Sequence, residues 1–400
     1  MKIFRRIASV FLRRPVPPAP PPVPRRAAAA PTVAATLVLA LAAALLCSGC
    51  PRRAGNAPAD GSPPDPENTA PVERVPFPAT PRPPLRLTPT ARLSALVPEC
   101  SGLAPSRRRA GVFWTHGDSG NPAVLFAVRA DGSLVRPRGA GANWRGLPVR
   151  GAKNTDWEAV ATDGAGRLVI GDIGNNHSAR RDLSLLVLDE PDPLAAAAPV
   201  APLRKIRVRH AAQKKIPDSP KRRFDCESLF FWDGAAHVFT KRWSDTWTVL
   251  CRLRLERPDA GVFEPVATFD AGGMVTDAAV SPDGRFLGVL TYHRLWVFAL
   301  PETRAGNAAG DAPNAKNAKR ADWLAPQKIT AAGTATGTVK SAAPAFPSPL
   351  TGAVWTRRLR FPDDNFQAEG LAFLDNDTLL IGTEQGGLFR VPRADLDRAR

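Results

Sequence analysis

The stretch Asp156-Trp157-Glu158-Ala159-Val160-Ala161, followed by the turn Asp163-Gly164 and the apolar run Leu168-Val169-Ile170, recurs along the chain. Related copies begin Glu99-Cys-Ser-Gly-Leu103, Asp225-Cys-Glu-Ser-Leu229, Thr276-Asp-Ala-Ala-Val280 and Gln367-Ala-Glu-Gly-Leu371. Each leads through a turn (Asp233-Gly234, Pro282-Asp283-Gly284, Asp375-Asn376-Asp377, or a longer loop at 107–111) into a second apolar run, and a third run often follows. Short strands joined by Asp-Gly turns are hairpins. Successive copies start 57, 69, 51 and 91 residues apart, and units of roughly fifty residues with three or four strands have propeller spacing. A β-sandwich has no reason to repeat one motif around the chain. The expectation is an all-β fold, a β-propeller over residues 85–400. Five blades are visible, and the 91-residue step leaves room for another between Trp323 and Phe361; six blades are preferred, with five as the alternative. Residues 85–97 are apolar enough to supply a strand that closes the ring against the short last blade.

The composition fits this fold. Of 400 residues 44% are hydrophobic and 23% charged, enough to bury a core, while 42 prolines and 31 glycines are too many for a helical protein. The formal charge of +17 resembles a nucleic-acid footprint until it is divided: residues 1–50 hold seven Lys/Arg and no acid, leaving +10 on the remainder. No nucleic-acid partner is expected, and the chain is read as a monomer. It has no P-loop, no dinucleotide glycine fingerprint and no zinc-type spacing. The basic run from Arg204 to Arg223 reads as a solvated loop between blades, and Trp232, Trp243 and Trp247 read as packing.

Residues 1–50 have the parts of an export signal. A basic segment (Arg5, Arg6, Arg13, Arg14, Arg25, Arg26) precedes an apolar run from Val33 to Leu46 that ends in Cys47-Ser48-Gly49-Cys50. The run is shorter than the twenty or so residues a membrane-spanning helix needs. Ser48-Gly49 directly before Cys50 resembles the lipobox of bacterial lipoproteins, with Cys47 where that pattern usually has Leu. The resemblance implies acylation of Cys50, a membrane partner through a lipid anchor, and a place in the bacterial cell envelope, periplasmic or at the outer membrane. An ordinary cleaved signal or an uncleaved anchor is the alternative. Residues 51–84 are proline-dense without apolar periodicity and read as a polyproline tether; residues 305–343 read as a low-complexity surface insertion. Beyond the leader only Cys100, Cys226 and Cys251 remain. They form no disulfide framework; a Cys226–Cys251 bridge stays open, and single packed thiols are favoured.

Two columns of polar residues follow from the repeat. In an antiparallel hairpin the start of the first strand and the end of the second lie at the same end. The inner column, two residues before the Leu or Val of the motif, reads Ser101, Glu158, Glu227, Ala278 and Glu369, with Asp277 one place earlier in the fourth copy. The partner column reads His116, Asp172, Lys241, Tyr292 and Glu384, with Asp118, Ser119, Asn121, Asn175 and Asn176 beside it. Three glutamates aimed at one axis repel each other unless a cation or a water network compensates them. Carboxylates with Asn side chains make a hard oxygen environment, which suits Ca²⁺ better than Zn²⁺ or copper. The bland alternative pairs Glu227 with Lys241 and leaves the other acids on backbone amides.

The strings Trp114-Thr-His-Gly-Asp-Ser-Gly-Asn121, Thr155-Asp-Trp-Glu-Ala-Val-Ala161, Ile170-Gly-Asp-Ile-Gly-Asn-Asn176 and Gln367-Ala-Glu-Gly-Leu-Ala-Phe373 resemble a group of uncharacterised bacterial secreted propeller proteins. More loosely, Glu-Gly-Leu-Ala-Phe and Ser-Pro-Asp-Gly are similar to the esterase-like phytase domain and the gluconolactonase, paraoxonase and strictosidine-synthase propellers. That resemblance implies a metal in the central tunnel, with Glu158, Glu227 and Glu369 matching inner-strand acids and Asp172 a blade-loop ligand. Two functions stay open. One is an envelope-anchored binding or scaffold module for a small molecule, glycan or envelope protein, with the ion holding blades together. The other is a calcium-dependent hydrolase of small esters, lactones or phosphate esters, with His116 or Asp172 as general base. A serine nucleophile in Gly117-Asp118-Ser119-Gly120 is set aside, since no Gly-x-Ser-x-Gly elbow exists.

Overall fold

The computed structural model describes Val75 and residues 82–195, 198–218, 221–302, 322–324 and 348–397. The segment read as an export signal, with Cys50, nearly all of the proline-rich stretch and most of the expected insertion lie outside the described residues. Strand alternation on two buried faces dictates what is seen: inner strands such as Trp157–Thr162 are buried at every position, as expected for sheets covered on both sides.

The chain opens with two short strands, β1 (Leu85–Arg86) and β2 (Ala91–Arg92). The first unit follows, with β3 (Cys100–Pro105), β4 (Val112–Gly117), β5 (Val124–Arg129) and two short outer strands, β6 (Leu134–Val135) and β7 (Leu147–Pro148). The second has β8 (Trp157–Thr162), β9 (Arg167–Asp172), β10 (Ser184–Asp189) and β11 (Arg204–His210). In the third, β12 (Asp225–Cys226) and β13 (Phe230–Trp232) share the inner position beside β14 (Ala235–Lys241), β15 (Trp247–Arg257) and β16 (Ala260–Asp270). The fourth has β17 (Val275–Val280), β18 (Phe286–Thr291), β19 (Arg294–Ala299) and β20 (Val354–Arg360). The fifth has β21 (Ala368–Phe373), β22 (Thr378–Thr383) and β23 (Gly387–Pro392), and a helical turn, Ala394–Asp397, follows.

Inner strands neighbour one another in a closed cycle: β3 beside β8, β8 beside β13, β13 and β14 beside β17, β17 beside β21, and β21 beside β3. The apolar core divides accordingly into clusters, each made by the facing surfaces of two adjacent units. The protein is a β-propeller, and among the described residues it has five units rather than the preferred six. The long last step is an insertion between β19 and β20, and the segment expected to hold a further blade supplies β20, the outer strand of the fourth unit.

Closure uses the N-terminal segment twice. β2 pairs antiparallel with β23 (Ala91 opposite Leu388), completing the fifth sheet, and β1 pairs parallel with β20 at the edge of the fourth. Just upstream, Arg357 Nε donates to the Pro83 carbonyl at 2.8 Å, and Val75 packs on the core between the third and fourth units. The second and third units are joined at their outer edges, where β11 pairs parallel with β16 from Arg207–Ala260 to His210–Phe263. The basic run is thus partly a strand, not a loop: in β11 Lys205, Arg207 and Arg209 are exposed while Ile206, Val208 and His210 are buried. Cys100, Cys226 and Cys251 are buried and unbridged. Trp232 and Trp247 are core residues.

Candidate metal centre in the central channel

Irregularities of the inner strands position the channel side chains. Pairing of β8 with β9 skips a residue between Trp157 and Ala159, and pairing of β21 with β22 skips one between Ala368 and Gly370. Glu158 and Glu369 are therefore bulge residues, and a bulge re-aims the side chain it carries. Glu227 lies in the gap between β12 and β13 and is likewise outside the ladder. Carboxylate oxygens of Glu158, Glu227 and Glu369 lie within 4.8 Å of one another. Two further groupings obey the same limit, Asp118 with Asp156 and Glu158, and Asp118 with Glu369 and Glu384. The result is a connected set of six carboxylates from four units. Glu158, Glu227 and Glu369 are buried, whereas Asp118 and Glu384 keep part of their surface in solvent and mark the mouth.

Lys241 is buried among these acids and donates to Glu227 Oε1 at 2.6 Å. Its Nζ lies 5.1 Å from the centre of the Tyr292 ring and 5.3 Å from that of Trp243. The Tyr292 hydroxyl donates to Glu369 Oε1 at 2.9 Å. The expected Glu227–Lys241 pair and the Glu369–Tyr292 bond each leave one oxygen over: Oε2 of Glu227 and Oε2 of Glu369 are buried with no hydrogen-bond partner. Gly174 makes the room, since a Cβ there would stand 2.5 Å from Asp156 Oδ2 and 2.6 Å from Glu158 Oε1.

The crowding shows in the titration behaviour. Burial, then the charges of Glu227 and Asp118, pushes the Glu158 carboxyl well above the carboxylate range. Burial does the same to Glu227, against the pull of Lys241. Burial raises Asp156 to about 6, helped by Asp225. Asp118 rises to about 7 through burial, Glu369 and Asp156, against the Ser119 amide. Glu384 rises to about 9 through burial and then Glu369. Lys241 is held well above its ordinary value by Glu227 first, and by Tyr292 and Glu369, against burial.

The other predicted site residues are placed differently. His116 lies in the wall, its ring edge-on to Trp157 at 5.6 Å and Nδ1 facing the Gly117 carbonyl at 3.1 Å. Burial pushes its imidazole down to about 4, so it is neutral and shut away from solvent. Asp172 does not join the cluster: its Oδ1 accepts from Arg180 Nη2 at 2.8 Å and from the Asp156 amide at 3.2 Å, steadying the strand that carries Asp156 and Glu158. Asn175 is a loop staple, with Nδ2 on the Phe224 carbonyl and Oδ1 accepting the amides of Ala179 and Arg180. Asn176 offers its carbonyl to Arg222. Asp277 is a peg between sheets, its Oδ2 accepting the Leu371 amide at 2.6 Å. Asp156 and Gly174 are the channel residues missed in the repeat columns. Trp243, read above as packing, roofs Lys241, with its Nε1 donating to Asp225 Oδ2 at 2.8 Å and Arg222 stacked at 4.2 Å.

An all-carboxylate set with a phenol nearby, and buried carboxylate oxygens lacking donors, fits a hard divalent cation. Oxygens that all lie within 4.8 Å of one another can share one ion at a Ca–O distance of roughly 2.4 Å.

No protein-family model and no curated protein sequence matches the chain. Among solved structures it is similar to one provisionally named a gluconolactonase (13% identity, TM-score 0.38, 76% of this chain and 93% of that one). A gluconolactonase from Xanthomonas campestris is similar at 17% identity and TM-score 0.34, over 80% of this chain and 98% of that one. So is the β-propeller domain of Cps50 (Swd1) from Myceliophteria thermophila, at 10% identity and TM-score 0.35, over 74% and 70%. Identities this low say nothing of activity, and the fold stands on the sheet order above.

Proposed function

We propose that the chain is a binding propeller that holds a divalent cation of the calcium class on Glu158, Glu227 and Glu369 and presents it at the mouth edged by Asp118 and Glu384. The observation behind this reading is the convergence of three buried glutamates from three units, two of them with an oxygen lacking a hydrogen-bond donor. One lysine cannot balance six carboxylates in a low-dielectric channel, so protons or a cation must. A ligand that binds only the native state stabilises it by about 2.7 kcal/mol at a hundredfold excess over Kd. Calcium is therefore expected to raise the melting temperature by several degrees, and a chelator to reverse the effect. A wild-type melting temperature indifferent to both would refute the proposal. On the envelope side, acylated Cys50 would tie this centre to a membrane, and intact-mass analysis of a membrane fraction checks that expectation.

A second reading, hydrolysis of a small ester, lactone or phosphate ester, has one observation in its favour. Asp118 reaches solvent beside the glutamates and is pushed up by burial to about 7, the range of a general base at neutral pH. A bound cation would supply Lewis-acid polarisation of a carbonyl or phosphoryl oxygen. Asp118 would accept a proton from water at the mouth; His116, sealed in the wall, is not available for that step. Calcium-dependent turnover of a model lactone, lost in Asp118→Asn while calcium still stabilises, would favour this reading.

A further inference from the structure

Between Glu302 and Ile329 the chain has only two large apolar side chains, the adjacent Trp323 and Leu324. They are carried by the insertion between β19 and β20 of the fourth unit, yet Asp322-Trp323-Leu324 is seated on the second and third. Trp323 is 6% exposed and belongs to the apolar cluster those two units share, with Leu324 packed against it. The contact centres on Asp163 and Arg167, which flank the turn between β8 and β9. That turn is the end of the hairpin away from Glu158, so the contact is separate from the channel cluster.

The seat is organised by its own turn. Asp163 Oδ1 accepts the amides of Ala165 and Arg167 at 2.8 and 2.9 Å, and its Oδ2 accepts Arg167 Nε at 2.5 Å. A carboxylate held in this way is aimed before anything docks on it. The Trp323 indole N–H donates to Asp163 Oδ2 at 2.8 Å, which meets the need of a buried indole for an acceptor. The Arg167 guanidinium stands over the indole, 5.7 Å from the ring centre, within cation–π reach. Its Nη2 donates to Asp322 Oδ1 at 2.8 Å, so one arginine reads both the ring and the acid before it. Phe231 of β13 walls the indole, with ring centres 5.2 Å apart at a 47° tilt. These contacts go to the side chains of Asp322 and Trp323, and none of them depends on how that pair is joined to the rest of the chain.

We propose that Asp163, Arg167 and Phe231 form a recognition site for a peptide carrying an acidic residue directly before a tryptophan, a site that the chain fills with its own Asp322 and Trp323. A motif on the same chain meets its site at an effective concentration on the order of millimolar, so the site has to be emptied before a free peptide can report it. The test is fluorescence anisotropy of a labelled peptide with the sequence of residues 321–327, Ala-Asp-Trp-Leu-Ala-Pro-Gln, titrated with the full chain as wild type and as Trp323→Ala. Saturable binding to Trp323→Ala is expected, with the wild type weaker by about tenfold or more because its own segment competes. A peptide with Asn in place of its Asp should bind about tenfold more weakly, the scale of a hydrogen bond between charged groups, and one with Ala in place of its Trp should not bind. If Trp323→Ala fails to fold, Trp323→Phe, which keeps the apolar fill but gives up the N–H bond to Asp163, takes its place with the same expectation. No saturation by about 1 mM protein, equal binding to wild type and variant, or undiminished binding of the peptide without tryptophan would overturn the proposal.

Discussion

Cation binding in the channel should expel protons. In the ion-free site Glu384 is raised to about 9 and Asp118 to about 7, the second mainly by burial and then by Glu369. At neutral pH Glu384 is then almost wholly protonated and Asp118 about half so. A divalent ion on Glu158, Glu227 and Glu369 cancels the negative field that keeps these protons bound, so between about one and two should leave per ion. Apparent affinity should rise by about tenfold per pH unit for each proton released. Calorimetry of calcium binding in buffers of different ionisation enthalpy reads the proton number from the slope. A zero slope together with affinity that is flat between about pH 6 and 8 would refute the reasoning, because it would mean that the carboxylates are already ionised and balanced by something other than protons.

Other outcomes follow from the same geometry. Without an ion, groups whose folded values are raised favour the native state only while protonated, so stability should fall as pH climbs from the ordinary carboxyl range near 4 through about 6 for Asp156 and 7 for Asp118; denaturant midpoints with and without calcium check this, and calcium should flatten the fall. Glu227→Gln should remove most of the calcium response and, by leaving buried Lys241 without its nearest carboxylate, cost about 3 kcal/mol in denaturant unfolding. Gly174→Ala should cost about 1–3 kcal/mol as an overpacked site and weaken calcium by displacing Asp156 and Glu158, with the β-sheet circular dichroism unchanged. His210, held at about 4 by burial, is neutral in the fold and charged in the unfolded chain below about 6.5; its share of stability, about 3 kcal/mol, should be present above pH 6.5 and lost towards pH 4, so that His210→Leu loses less stability across that window than wild type.

The repeat made much of this legible. Glu158, Glu227 and Glu369 were marked because the same position came round at each motif, and Lys241 and Tyr292 because hairpin geometry returns the second strand to the same end. Asp156 escapes the columns because it lies just before β8, outside the strand that carries Glu158, yet its carboxylate joins the cluster. His116 was marked by position, but the strand sends its ring against Trp157, a contact between units that no single strand encodes. The number of units was obscured by an insertion that puts β19 and β20 far apart in sequence though adjacent in the sheet. Pairing of β11 with β16 joins outer edges of different units, and nothing local in either strand announces it.

The two pairs made by the N-terminal segment also decide how the ring responds to a mechanical load. β1 and β2 contribute two residues each, at the outer edges of the fourth and fifth sheets, and no inner strand lies between them and Arg82. Tension arriving from the N-terminal side would detach β1 from β20 and then β2 from β23 before reaching any strand that carries a channel glutamate. The rim can therefore act as a mechanical fuse, giving way while the carboxylate cluster keeps its shape.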